Sequence, residues 1–238
     1  MILLIAAAVA VAPAVDRCPA VVTADALVCR ALEAQKSGQA DEAAESFEEA
    51  AKTSSDKDPK TARMWVAAGN LWIAANQPGK AALDIDKALA LPGLEGEQRG
   101  EALLDRARAA EAQNDFTGAR ARLTDAAAII PDDPFVWYFS AALAIREGDV
   151  ANAQSSIAHA LKLAGDDPAV LFEAGHVAHA AGDDAKARYY WQRSASLDQN
   201  GPIGKAARDA LAMLPAPATI VTQPNRSRSL SPDHNRWW

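Results

Sequence analysis

Small and bulky apolar residues alternate at helical spacing through the middle of the chain, and the alternation recurs. A small residue stands at Ala43, Ala81, Ala119, Ala153 and Ala187. Four positions later comes a bulky one: Phe47, Ile85, Leu123, Ile157 and Trp191. Three further on the site is small again, at Ala50, Ala88, Ala126, Ala160 and Ser194. Offsets of four and seven share one face of an α-helix, so each segment predicts a helix that touches a neighbour through a small–bulky–small face. By subtraction the segments lie 38, 38, 34 and 34 residues apart, which marks a repeated structural unit.

Each of these helices has a partner upstream. Leu27, Trp65, Leu103, Trp137 and Leu171 occupy an equivalent bulky site, followed four residues on by Ala31, Gly69, Ala107, Ala141 and Gly175. Between the two helices of each pair stand Gly38, Asn76, Asn114, Gly148 and Gly182, residue types that tolerate the left-handed end of a helix. The pattern predicts five helix pairs joined by tight turns. A further helix over Pro202–Leu214 is polar enough to cap the last apolar face, as a stack requires.

Segments such as Trp65-Val-Ala-Ala-Gly69-Asn-Leu-Trp72 and Gly148-Asp149-Val150-Ala-Asn-Ala153, with Pro92 and Pro131 near inter-repeat positions, resemble the tetratricopeptide repeat family over about residues 24–200. The resemblance implies an all-α fold: a right-handed superhelical solenoid of antiparallel helix pairs, with a C-terminal capping helix closing a domain over 24–214. It also implies a non-catalytic scaffold that holds a peptide or protein segment in a concave groove lined by the first helices of the pairs. Mapped onto this chain, the groove would present Val66, Asn70, Ile73, Glu101, Leu104, Arg108, Phe135, Tyr138, Ile145, Arg146, Phe172 and His176. Phe135, Tyr138 and Phe172 with Arg146 form the leading patch, since aromatics and arginines are enriched at binding hot spots; packing of Phe135 and Phe172 between repeats is the competing reading. Asn70 matches one element of the family's carboxylate clamp, but its companion lysines are absent. Arg30 and Arg106 fall where the family has apolar residues, so looser packing is expected in repeats one and three. The 38-residue spacings imply longer connections around Thr53–Pro59 and Pro92–Gly100.

Composition agrees with close helix packing. The 238 residues include 57 alanines and are only 6% aromatic, which excludes a β-sandwich or a disulfide-rich miniprotein. A net charge of -7 argues against a general nucleic-acid binder and for a basic or neutral protein partner. The ends differ from the body. Met1–Val15 carry no charged side chain and reach Ala12-Pro13-Ala14, an A-x-A-like cleavage site, so residues 1–14 read as a signal peptide for the periplasm or secretion. An uncleaved leader is the alternative, making the chain an N-terminally anchored structural component of an envelope assembly. Residues 215–238 read as a disordered tail; Arg226, Arg228 and Arg236 against Asp233 give it +2, and Trp237-Trp238 is either a docking motif or without role.

Candidate chemistry is sparse. Cys18 and Cys29 would form a disulfide in an oxidising compartment or remain two unpaired thiols. Asp133 and Asp167, each followed by proline, read as helix N-caps rather than as calcium ligands or general acids. His176 and His179 share a helix face, but two imidazoles do not complete a metal site. No P-loop, G-x-G-x-x-G, G-x-S-x-G or paired CxxC motif is present, so no enzyme activity, cofactor or small-molecule substrate is expected.

Overall fold

The computed structural model describes residues 18–215; the candidate leader over 1–14 and tail residues 216–238 lie outside the described residues. Those described form eleven α-helices and no strand: α1 (Ala24–Lys36), α2 (Ala40–Thr53), α3 (Pro59–Ala74), α4 (Pro78–Ala90), α5 (Gly96–Ala112), α6 (Phe116–Ile129), α7 (Pro134–Arg146), α8 (Val150–Leu163), α9 (Pro168–Ala180), α10 (Asp184–Leu197) and α11 (Pro202–Met213). Consecutive helices pack as five antiparallel pairs, stacked in chain order and closed by α11 against α10 and α9. This is an all-α solenoid of helix pairs with a terminal cap. No described helix is long and apolar enough to cross a membrane.

The turns inside the pairs are five copies of one motif. Gly38, Asn76, Asn114, Gly148 and Gly182 all have positive φ, between 56° and 79°. In the first copy the Gln39 N–H donates to the Ala34 carbonyl at 2.9 Å and the Gly38 N–H to Gln35 at 3.0 Å. The same two bonds recur at the other four turns. This Schellman arrangement satisfies carbonyls that the helix end leaves open, and only Gly or Asn adopts its left-handed residue cheaply. Aspartates start the helices. Asp58, Asp133 and Asp167 cap α3, α7 and α9 ahead of a proline, while Asp115, Asp149 and Asp183 cap α6, α8 and α10. The acids singled out at 133 and 167 are structural, each contributing about 1 kcal/mol.

The repeated small sites are contact points. Ala43, Ala81, Ala119, Ala153 and Ala187 are wholly buried, as are Ala31, Ala107 and Ala141 across from them. At Gly175 even a methyl group would not fit: an added Cβ would lie 2.2 Å from Nε1 of Trp191. The buried Trp191 indole donates to the Phe172 carbonyl at 3.0 Å, which fixes it against α9.

Three expectations change. The 38-residue period does not lie mainly in longer connections. The loops over 54–58 and 91–95 are short, and the extra residues lengthen α3 to 16 and α5 to 17 residues, against 13 in α7 and α9. About one helical turn has been added to each. Arg30 and Arg106 do not loosen their repeats. Arg30 donates to the Val21 carbonyl at 2.6 Å, and Arg106 reaches Asp86 of α4 at 2.9 Å, so both guanidinium groups find polar partners while their stems pack along the helices. Trp137 does not occupy a buried site as its counterparts do. Val136 fills the interior, and the half-buried Trp137 ring stacks on His159 at 4.1 Å with its N–H on the Pro131 carbonyl.

Candidate functional site: the face of the first helices

α3, α5 and α7 are neighbouring first helices, and between them lies a hollow of about 400 Å³ lined by Ile73, Leu104, Arg108, Glu111, Ala112, Phe135, Tyr138 and Phe139. Its floor is apolar and aromatic. The Phe135 and Tyr138 rings meet edge to face at 5.4 Å, and Phe135 stays 46% exposed, a large apolar surface at the rim. Exposure at that level means Phe135 is not consumed by packing between repeats.

The arginines of this face are paired. Arg108 binds Asp105 on its own helix at 3.1 Å, and Arg146 of α7 binds Glu111 of α5. Burial holds the Asp105 carboxyl above its ordinary range, although Arg108 and Asn70 both pull it down. Burial also raises the Tyr138 hydroxyl, with Glu173, Asp167 and Asp133 adding to the shift and Arg108 opposing it.

A second hollow of about 600 Å³ adjoins the first at Phe135. It is lined by Glu97, Glu101, Asp132 and Asp133 with Ile129, Ile130, Pro131 and Pro134, and none of these residues is cationic. Glu101 is pushed up first by desolvation and then by the fields of Glu97, Asp105 and Asp133. Four carboxylates without a cation create a local negative potential that favours a bound positive group.

Of the groove residues expected from sequence, Ile73, Leu104, Arg108, Phe135 and Tyr138 come together around the first hollow, and Glu101 lines the second. Arg146 is tied to it through Glu111 but does not line it. Val66 and Ile145 are partly buried against the cores beneath, and Asn70 is exposed beside Asp105. Phe172 and His176 form a separate group: their rings lie 4.4 Å apart, and His176 meets Trp191 edge-on at 5.4 Å. His176 sits 3.4 Å from Glu173, while His179 bonds Asp184 at 2.7 Å, so different acids hold the two imidazoles. Among the described residues no group of three or more His, Cys, Asp or Glu is placed to hold a metal. Sequence reasoning placed Glu101 in the groove but missed Asp105, Glu111 and the gathering of Glu97, Asp132 and Asp133 beside it. The signal was present: Glu97, Glu101 and Asp105 follow at four-residue intervals, which puts them on one helix face. At the N-terminal edge Cys18 and Cys29 are joined by a disulfide that ties the entering chain to α1.

Comparison with known proteins agrees with this architecture. Residues 30–95 match the tetratricopeptide repeat family. Among solved structures, the chain is similar to PilW, a type IV pilus biogenesis factor, with 24% identity and a TM-score of 0.64 over 79% of this chain and 82% of that one. It is also similar to MamA (16% identity, TM-score 0.60, 81% and 98% covered) and to YrrB, described as a tetratricopeptide repeat protein with an unusual peptide-binding site (16%, 0.56, 78% and 92%). Identities this low establish the shared fold alone. The comparison with curated proteins gives no match.

Proposed function

We propose that this chain, a solenoid of tetratricopeptide repeats, is a non-catalytic scaffold that binds a protein segment on the face of its first helices. The observation that carries the reading is the pair of adjoining hollows, one aromatic and one acidic, which share the exposed Phe135. A segment presenting an apolar side chain beside a basic one fits both at once: burial of the first contributes most of the affinity, and the acidic hollow selects the second. YrrB, which shares the fold, has a peptide-binding site, and this supports a peptide as the kind of ligand. We place the chain in the periplasm or outside the cell. The Cys18–Cys29 bridge and the leader-like residues 1–14 support that location, since disulfides persist in oxidising compartments.

The test is in vivo crosslinking in the native host, followed by identification of partners. Phe135→Ala with Tyr138→Ala is expected to reduce capture by at least about tenfold, the loss of one or two hot-spot aromatics, with an unchanged far-UV CD spectrum. Undiminished capture by a folded double variant would refute the groove as the binding face. Mass spectrometry of the purified protein reads the location: removal of residues 1–14 supports export, and an intact N-terminus supports anchoring instead.

A further inference from the structure

We infer that the basic segment 216–238 of this same chain docks intramolecularly onto the paired hollows and must be displaced by any external partner. The inference rests on the groove reading for its place and goes beyond it by naming an occupant. Charge comes first. The segment holds Arg226, Arg228 and Arg236 against the single acid Asp233, so with a total of -7 the rest of the chain carries -9 (-7 minus +2). Glu97, Glu101, Asp132 and Asp133 gather part of that excess in one hollow without a cation. Residue type comes second: the segment carries Trp237 and Trp238 next to Arg236, an apolar-plus-basic combination matched by the apolar and acidic hollows on either side of Phe135.

Reach permits the contact. Leu214, at the exit of the solenoid, is buried in one cluster with Ala178 of α9, and Phe172 packs on the same cluster. α9 packs on α7, which carries Phe135 and Tyr138. With about 8–10 Å between packed helices, the hollows lie roughly 10–30 Å from Leu214. The 23 residues from 216 to 238 span about 25–29 Å as a coil and about 75 Å fully extended. A tether of that length gives an effective concentration in the millimolar range, so even a contact with a Kd of about 100 µM would be mostly closed.

The probe is a fluorescein-labelled synthetic peptide with the sequence of residues 222–238. It is titrated by anisotropy into the full chain and into a full-length variant carrying Arg226→Ser, Arg228→Ser, Arg236→Ser, Trp237→Ser and Trp238→Ser. The variant is expected to bind the probe at least about tenfold more tightly than the unaltered chain, because its groove is open. Adding Glu101→Gln and Asp132→Asn, both exposed positions, is expected to weaken probe binding several-fold and to reduce its salt dependence. Equal affinity for the two chains, or no binding to the variant, overturns the inference. Probe binding indifferent to the Glu101 and Asp132 substitutions overturns the site. Light scattering that shows a dimer lost with the five substitutions overturns the intramolecular contact in favour of a second copy. Failure here leaves capture of an external partner measurable, whereas undiminished capture by the Phe135/Tyr138 variant removes the groove itself.

Discussion

Replacing Gly175 by alanine tests the packing logic of the stack at a close contact between paired helices. Alanine would improve the helix locally by about 1 kcal/mol. Against that, its Cβ would stand 2.2 Å from Nε1 and 2.3 Å from Cδ1 of Trp191, where carbon contacts are relaxed only at about 3.5–4.0 Å. Trp191 is almost fully buried and its N–H is engaged by the Phe172 carbonyl, so it cannot swing aside without losing that bond. Overpacking of this kind costs about 1–3 kcal/mol and the hydrogen bond about 1 more, leaving Gly175→Ala destabilised by about 2 kcal/mol. The partner change Trp191→Leu opens a cavity and costs about 2–4 kcal/mol alone. Together the two changes rebuild the Ala107–Leu123 combination of the third repeat, whose residues are buried in one cluster. The double variant should therefore be more stable than the sum of the singles implies, by at least about 2 kcal/mol. Urea titration followed by CD at 222 nm gives the totals, and amide exchange in α9 and α10 gives the local reading, because each repeat contacts only its neighbours. Additive effects within 0.5 kcal/mol, or a rise in stability for Gly175→Ala alone, would refute the argument (about the noise of independent sites).

Other residues offer sharper conditions. Asp84 is buried between α2 and α4 with one carboxylate oxygen unpartnered, Lys87 on the other and Glu48 facing it, and burial raises its pKa above the usual 3.8. A raised carboxyl contributes stability that is full below 3.8 and is lost as pH rises through the folded value. Asp84→Asn should accordingly gain about 1 kcal/mol at pH 7 and nothing near pH 4, as read by urea melts at both; an equal effect at both would contradict it. Reducing Cys18–Cys29, separated by 11 residues, should remove about 3 kcal/mol from the first repeat and expose α1 amides to exchange while α7–α10 keep their protection. Gly148→Ala, at φ 76°, should cost about 1 kcal/mol in thermal denaturation, whereas Asn114→Gly, at φ 62°, should be neutral or stabilising; the reverse order would be incompatible with the turn motif.

The turns and contact faces were legible because a repeat imposes the same local demand five times. A glycine alone says little, but Gly38, Asn76, Asn114, Gly148 and Gly182 at equivalent positions identify one backbone state, and all five have it. Asp133 and Asp167 were readable as caps for the same reason. Residues that depend on what lies across the groove were not. Arg146 reads as a free hot-spot cation along its own helix, yet Glu111 of α5 neutralises it. Trp137 matches the buried pattern in sequence, but its ring stays half-buried against the next cluster, stacked on His159 of α8, while Val136 is buried with Leu103, Ala126 and Ile130. Both outcomes are set by the neighbouring helix, about which intrahelical spacing carries no information.

The irregular period connects repeat length to the site. Aligning Leu103 with Trp137 sets the start of α7 at Pro134 opposite Gly100, so the additional turn of α5 is its N-terminal one, residues 96–99. That turn carries Glu97, and Glu97 is one of the four acids lining the hollow opposite Asp132 and Asp133. With a 13-residue first helix, as in α7 and α9, the hollow would lose this acid and the wall bearing it. Asp132 and Asp133, by contrast, come from the ordinary connection before α7, where Asp133 already serves as a cap. The acidic hollow is thus the meeting of a repeat-wide structural device with one local helix extension. A regular 34-residue period would have retained the aromatic hollow around Tyr138 while weakening the negative potential beside it.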